Sequence, residues 1–373
     1  MYRSREKLWE IPLMIVLLMI CDLTGTEKYI AVTAVTGLFM FLGRKKQWSP
    51  EILLCIALPA VVYLIIGSLG AMVSGNMYTS TIKTVVFWLL PLLFAFSIYV
   101  FKEKNISSMV DAQFIGSVIA YIVINARFLR YYLKVESMFS FAFGAFFLYY
   151  AYKKRWGFLV VASYFLFVTD KRITMLAALV ALTVMLFLKL FRNDKRLVYI
   201  IWGTVTILIN AYLWLICSGK FEYFSKGIGI NTNGRTEMYT QLIDWFDKKI
   251  LLVGKGIGVV ETLLEAWNIR TFANLHNDLL KFYVELGIIG LLIFLLSYGV
   301  VFYIVGHKFG VEKMCMVLSM SLYSIALFAT DNVSIYVLYL MPYYSILFAV
   351  LSQKTEDEVE KKDRKCLKKL FEK

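Results

Sequence analysis

The sequence predicts an all-α, polytopic integral membrane protein, and three observations carry that reading. The 373 residues are 60% hydrophobic and only 18% charged, whereas a soluble domain runs nearer half apolar and a quarter charged. The mean hydropathy is +0.69. The apolar residues come in long blocks rather than in alternation, and a block of ~20 residues is long enough to cross a bilayer. In lipid every backbone N–H and C=O needs an internal partner, so these blocks are helices.

About twelve blocks follow from the ~20-residue rule: 9–23, 29–42, 52–73, 85–101, 109–125, 138–152, 156–168, 173–191, 197–218, 286–304, 311–329 and 334–351. They divide the chain into an N-terminal bundle (1–168), a central region (169–304), two closing helices (305–352) and a charged tail (353–373). Arg3, Arg5 and Lys7 precede the first block as in a signal peptide. No small-residue cleavage site follows, so the block reads as an uncleaved first helix.

The net charge of +14 raises a nucleic-acid partner, and the distribution of that charge excludes one. The basic residues sit in alternate short connections and not on one soluble face: Arg44-Lys45-Lys46, Lys102 with Lys104, Lys153-Lys154-Arg155, 189–196, 307–313 and the tail. With twelve spans all of these lie on one side together with the N-terminus. Basic short loops stay cytoplasmic, which predicts a multi-pass plasma (inner) membrane protein with both termini inside. The tail, mixed in Lys and Glu, reads as a solvated or lipid-skimming helix. The cysteines Cys21, Cys55, Cys217, Cys315 and Cys366 have no paired spacing, which indicates neither a zinc site nor a disulfide framework.

Residues 219–285 break the rhythm. The stretch is polar, falls on the extracytoplasmic side, and is long for a connection between helices. Met238, Leu242, Trp245 and Phe246 share one helical face, as do Val260, Leu263, Leu264 and Trp267. Such helices lie on the membrane surface or cap the bundle.

Outer loops should be poor in cations, and three places are not: Arg127, Arg130 and Lys134; Lys171 and Arg172; and Arg235. For the first group, lipid headgroups and a bound anion are equally good explanations. For the others an anion is the better one. Asn231 to Glu237 reads as a turn opening a helix, with Asn233 at its N-cap. Arg235 in the first turn opposes the helix dipole, at ~0.3–1 kcal/mol, yet with the free N–H groups it makes a diphosphate clamp. Gly254-Lys255-Gly256-Ile257-Gly258 lacks the ending of a P-loop, so a tight turn between two surface helices accounts for it. Of the two histidines, His307 sits in a basic connection, while His276 lies on the outer face before the tenth block. A neutral imidazole there can take a proton from a hydroxyl near pH 7.

Taken in order, Asp170-Lys171-Arg172, Asn233-Gly234-Arg235 before a helix with Trp245, the Gly254–Gly258 turn, His276-Asn277, and Glu285-x-Gly287 with Gly290-Leu291 resemble the O-antigen ligase / O-antigen polymerase superfamily of bacterial envelope enzymes. The resemblance runs over about 169–304. The chain departs from the family pattern in having Ile173 after Arg172, and Leu252-Val253 where a proline often precedes the glycine turn.

The resemblance implies a metal-independent inverting glycosyltransferase with no cofactor, acting on a polyprenyl-diphosphate-linked glycan at the outer face. Arg172 and Arg235, with Lys171, would hold the diphosphate, and His276 would be the base. Arg127, Arg130, Asn277 and Tyr283 would complete the substrate-binding side, with Tyr283 stacking on a sugar. Glu285 reads as ending the polar stretch structurally. The expected activity is polymerisation of repeat units into capsular or O-antigen-type polysaccharide, with membrane lipids, a chain-length regulator and a flippase as partners. The Lys- and Ile-rich composition points to a capsule. Two alternatives remain: ligation of a lipid-linked glycan to a lipid or protein acceptor, and a transporter. Ionisable residues within spans would mark a transporter, and Asp331-Asn332 at an outer end is the main candidate.

Overall fold

The computed structural model describes residues 9–22, 25–43, 48–75, 79–102, 105–129, 134–191, 193–227, 229, 234–246, 251–266 and 275–353. Arg130, Asn233, Trp267, the basic residues before Trp9, Arg44 to Lys46, Lys104 and the tail beyond Gln353 lie outside them. Among the described residues there are fifteen α-helices, one 3-10 turn (Val333–Ile335) and no strand. All twelve apolar blocks form helices: α1 (Glu10–Cys21), α2 (Glu27–Gly43), α3 (Pro50–Val73), α4 (Thr79–Lys102), α5 (Ile106–Leu129), α6 (Phe139–Tyr152), α7 (Trp156–Val168), α8 (Arg172–Leu190), α9 (Lys195–Cys217), α13 (Asp278–Lys308), α14 (Val311–Phe328) and α15 (Val337–Ser352). The polar stretch supplies α10 (Phe221–Gly227), α11 (Arg235–Trp245) and α12 (Val259–Ala266).

Among the described residues seven helices are long and apolar enough to cross a membrane, and α1, α6, α7 and α15 are apolar but shorter than a full crossing. The physical reason is clearest in α6, whose 14 residues reach only ~21 Å. It is buried along nearly its whole length, packed among α5, α7, α8, α14 and α15. A helix sheathed by protein need not match the bilayer thickness. Close packing shows at Gly144, where an added Cβ would lie 2.1 Å from the Tyr323 hydroxyl, which donates to the Phe141 carbonyl at 2.8 Å.

Successive helices run in alternating directions, and side-chain contacts mark the two ends. At one end Lys102 meets Glu10, Lys308 meets Glu51 and Arg155 meets Asp111. This end carries the basic connections. At the other end lie α10, α11, α12 and the start of α13. There α11 packs on α9, and α12 packs on α4 and α13. Met238, Leu242, Val260 and Leu264 are buried, so both helices cap the bundle, while Trp245 of the predicted apolar face is 57% exposed.

Two predicted boundaries change. The tenth block begins at Asp278, and α13 is broken at Gly287, whose φ of 70° and ψ of 174° are not helical. The glycine-rich stretch is not a surface turn, because it fills that break. Ile288 and Ile289 donate to the carbonyls of Leu251 and Leu252, and Lys255 and Gly256 donate to those of Val284 and Glu285. Backbone groups freed by the kink are thus satisfied inside the protein, as a membrane-level break requires. Glu285, fully buried, accepts from the Gly258 N–H at 2.7 Å and from the Tyr63 hydroxyl. Gly256 has a φ of +95° and presses on the Ala71 backbone, which leaves room for no side chain.

Candidate active site

The turn between α14 and α15 gathers the predicted residues. Asp331 lies in it, 4% exposed. Its Oδ2 is 3.0 Å from Lys171 Nζ, and its Oδ1 is 3.2 Å from His276 Nδ1. The Asn332 N–H donates to Oδ1 at 2.8 Å. Burial opposes the Asp331 charge, but the His276 hydrogen bond, the Lys171 ammonium and the Asn332 N–H outweigh it and hold the carboxyl at about 2. Asp331 is therefore an anion at neutral pH. A carboxylate cannot donate, so Nδ1 carries a proton toward Asp331, and in the neutral imidazole Nε2 is the atom left to accept one.

Local structure aims these groups. His276 adopts a φ of 52°, a left-handed conformation uncommon outside glycine and marking a constrained position. Its carbonyl accepts from the Tyr239 hydroxyl at 3.3 Å. Four residues earlier on α11, one turn away, the Arg235 guanidinium donates to the Thr330 carbonyl at 3.1 Å. Tyr239 and Arg235 share a helical face, so one short helix braces both ends of the site. The N-cap of α11 is Gly234 with a φ of 78°, whereas Asn233 had been expected there. Asp170, with a φ of 49°, turns the chain into α8. Lys171 caps α8 and Arg172 opens it.

Arg172 is exposed and makes no ion pair among the described residues. Arg127 is likewise exposed at the same end, and nothing in the structure ties it to the turn. The Lys171 charge is already engaged by Asp331 and by Glu136 at 3.3 Å, over the Phe141 ring. It holds Asp331 in place, where a diphosphate contact had been expected. Asn277 is fully buried. Its Oδ1 accepts from the Leu280 N–H at 3.0 Å, and its Nδ2 donates to the Tyr212 hydroxyl at 2.9 Å. Its Oδ1 caps α13 and its Nδ2 ties that cap to α9, so both ends of the buried amide are engaged within the protein. Tyr283 is 5% exposed and accepts from the Leu251 N–H at 3.0 Å. Its ring presents no open face for a sugar. Polar type and nearness in sequence do not reveal burial, and both assignments fail for that reason.

Asp331 itself was missed as a site residue, because it had been weighed only as an intramembrane charge. Asp278 also bears on the turn, accepting at 2.7 Å from both the Ser334 N–H and its hydroxyl. Among the described residues no three His, Cys, Asp or Glu side chains gather as a metal site would require. Two guanidinium groups and a carboxylate-oriented imidazole at one end of the bundle can bind an anion and accept a proton. Residues 157–295 match the model of a family described as O-antigen ligase, a span that includes Lys171, Arg172, Arg235 and His276. No curated protein matches the chain.

Proposed function

From residues 157–295, which match the model of a family described as O-antigen ligase, we propose that this multi-pass membrane protein polymerises polyprenyl-diphosphate-linked repeat units into surface polysaccharide at the outer face of the plasma membrane. The observation that carries the reading is the convergence of Lys171, Arg235 and His276 on the Thr330-Asp331 turn, with Arg172, next in the chain to Lys171, making no ion pair among the described residues.

In the proposed step the acceptor hydroxyl oxygen attacks the anomeric carbon of the donor glycan. The hydroxyl proton passes to His276 Nε2. The bond from the anomeric carbon to the diphosphate breaks, and its electron pair leaves with the lipid diphosphate. Arg172 and Arg235 face that growing negative charge, where fixed cations lower a barrier most. Attack from the side opposite the diphosphate inverts the anomeric carbon, and no metal takes part. A ligase would use the same chemistry with a different acceptor.

A transporter is less well supported. Buried charges within helices have partners: Glu10 with Lys102, Lys281 with Glu261, Glu285 with Tyr63 and Gly258, and Lys313 with the Leu351 carbonyl. None of these is free to mark a path.

The test uses purified protein and a lipid-linked repeat unit, with chelator present throughout. His276→Gln keeps hydrogen bonding and loses basicity, and should lower the initial rate by ~10²–10⁴-fold. Chelator should change nothing. A His276→Gln enzyme of near-normal rate would remove the base from the mechanism. Product that is a single transferred glycan on a non-glycan acceptor would make the protein a ligase.

A further inference from the structure

We infer that the basic end of the bundle holds a second ligand site, one for the phosphate headgroup of an anionic phospholipid. A cavity of about 270 Å³ opens there between the α6–α7 turn, the last turns of α8 and the first turn of α14. That is far more than the ~10–15 Å³ a single water needs and close to the ~300 Å³ at which small-ligand pockets begin. Helix α8 has 19 residues and starts at Arg172, so its far end lies ~28 Å from the catalytic end. The cavity is therefore separate from the glycan site.

Its wall is divided by chemistry. Lys154, Lys189 and Asn193 supply the polar side, and Ala151, Met185 and Cys315 the apolar side. Lys154 and Lys189 are exposed, and neither side-chain ammonium makes a hydrogen bond or ion pair with a described residue. Glu312 is the one acid on the wall, so two unpaired ammonium groups face one carboxylate and the cavity favours an anion. Basic pockets between membrane helices at this level take lipid headgroups.

The apolar surface leading from the cavity selects a lipid over a free phosphate. Leu186 lines the cavity and is 55% exposed, and Leu179 and Leu176 continue it at 53% and 58%. Spaced by seven and then three residues, they form one strip along α8. An acyl chain below a headgroup on Lys154 and Lys189 would lie along that strip, which a free phosphate would leave uncovered.

The full-length protein in neutral detergent, titrated with dioleoylphosphatidylglycerol and read by native mass spectrometry, tests the site. Bound lipid should appear on the wild type, and dioleoylphosphatidylcholine and inorganic phosphate should fail to displace it. Replacing both lysines (Lys154→Ala with Lys189→Ala) should weaken binding by about tenfold. Lys154→Arg with Lys189→Arg should retain it, which separates charge from folding. Lys195→Ala with Arg196→Ala, in the same basic connection but outside the cavity, should leave binding unchanged. A double alanine variant that binds phosphatidylglycerol like the wild type would overturn the site. So would displacement by inorganic phosphate at a concentration similar to that of the lipid.

Discussion

The cations that brace the basic end of the bundle and those gathered near the Thr330-Asp331 turn keep different partners. At the basic end four of those described are tied to carboxylates or helix-end carbonyls: Lys102 to Glu10 at 2.8 Å, Lys308 to Glu51 at 3.1 Å, Arg155 to Asp111, and Lys313 to the Leu351 carbonyl at 3.2 Å. At the other end Arg235 has only a carbonyl partner, Arg172 has none among the described residues, and Lys171 and His276 share one carboxylate. A cation matched by a carboxylate is a strut, while a guanidinium without one, close to the His276–Asp331 turn, still has net charge to offer an anion. Partners, rather than the number of cations, therefore locate the site. Lys154, Lys189, Lys195 and Arg196 have no side-chain partner among the described residues at the basic end, and of these Lys154 and Lys189 line one cavity, which marks a second site.

The largest effect that would sharpen this contrast is expected from the two arginines. Arg172→Ala and Arg235→Ala should each cost ~10²–10³-fold in rate, the range seen when one stabilising group is removed, and together they should abolish polymer. Membrane insertion should be unaffected, as judged by the yield of folded protein in detergent. Arg235→Lys should also be poor, because an ammonium cannot grip two oxygens while holding the Thr330 carbonyl. Polymer of normal length and amount from that lysine variant would remove the two-pronged contact.

Next comes Asp331→Asn. The Asp331 carboxyl sits at about 2, below its ordinary value of 3.8. The sign follows from that depression. Its charge, and the stability the charge contributes, are complete above the ordinary carboxylate value and are lost only as pH falls through about 2. Asp331 therefore contributes no pH dependence between about pH 5 and 8. The asparagine removes the anion at every pH, and should lower the rate by ~10–100-fold, as loss of an orienting partner typically does. The deficit should persist at about pH 8, where Asp331 is fully ionised, because it comes from losing the orienting partner. A variant with the wild-type rate there would remove Asp331 from the positioning of His276.

What the sequence disclosed of this end follows a physical pattern. Arg172, Arg235 and His276 stand out in the sequence because each is a residue type out of place: cations at the end expected to face outward, and a lone histidine among them. Asp331 was not, since its role depends on two partners, His276 and Lys171, brought to it from distant parts of the chain by folding. Asn277 and Tyr283 were misread because a polar residue beside a site and a polar residue capping a helix look alike until burial is known. The helices were legible from apolar blocks. Their number as membrane crossings was not, because α6 is short and enclosed by other helices. The break at Gly287 was invisible too, as a glycine within an apolar block carries no sign of its φ.

A smaller effect on chemistry, felt through folding, is expected at the glycine stretch. In Gly256→Ala the new Cβ would lie 2.3 Å from the Ala71 backbone at a φ of +95°. Neither backbone can give way cheaply, so the variant should lose about 1–3 kcal/mol of stability, measured as a lower unfolding midpoint in detergent. Its surviving folded fraction should keep the wild-type pH profile. A normal midpoint would mean that residues 251–256 do not hold the α13 kink.

The smallest effect should come from the basic end, and it is the one that could break the comparison. Arg155 and Asp111 form an ion pair whose side chains are 37% and 21% exposed, with the Tyr150 hydroxyl donating to the same carboxylate at 3.2 Å. Partly exposed pairs contribute only ~0.2–1 kcal/mol, since water already screens the charges and two side chains must be ordered. Asp111→Asn keeps an acceptor for Tyr150 and leaves Arg155 stacked on Phe158 at 4.2 Å. Stability should therefore fall by less than about 1 kcal/mol. Polymer yield per folded molecule should be unchanged, because the pair lies at the far ends of α5 and α7 from His276. If Asp111→Asn instead lost polymer as severely as Arg235→Ala at unchanged stability, the cations of the basic end would be part of the chemistry, and having a carboxylate partner would no longer distinguish a strut from a site.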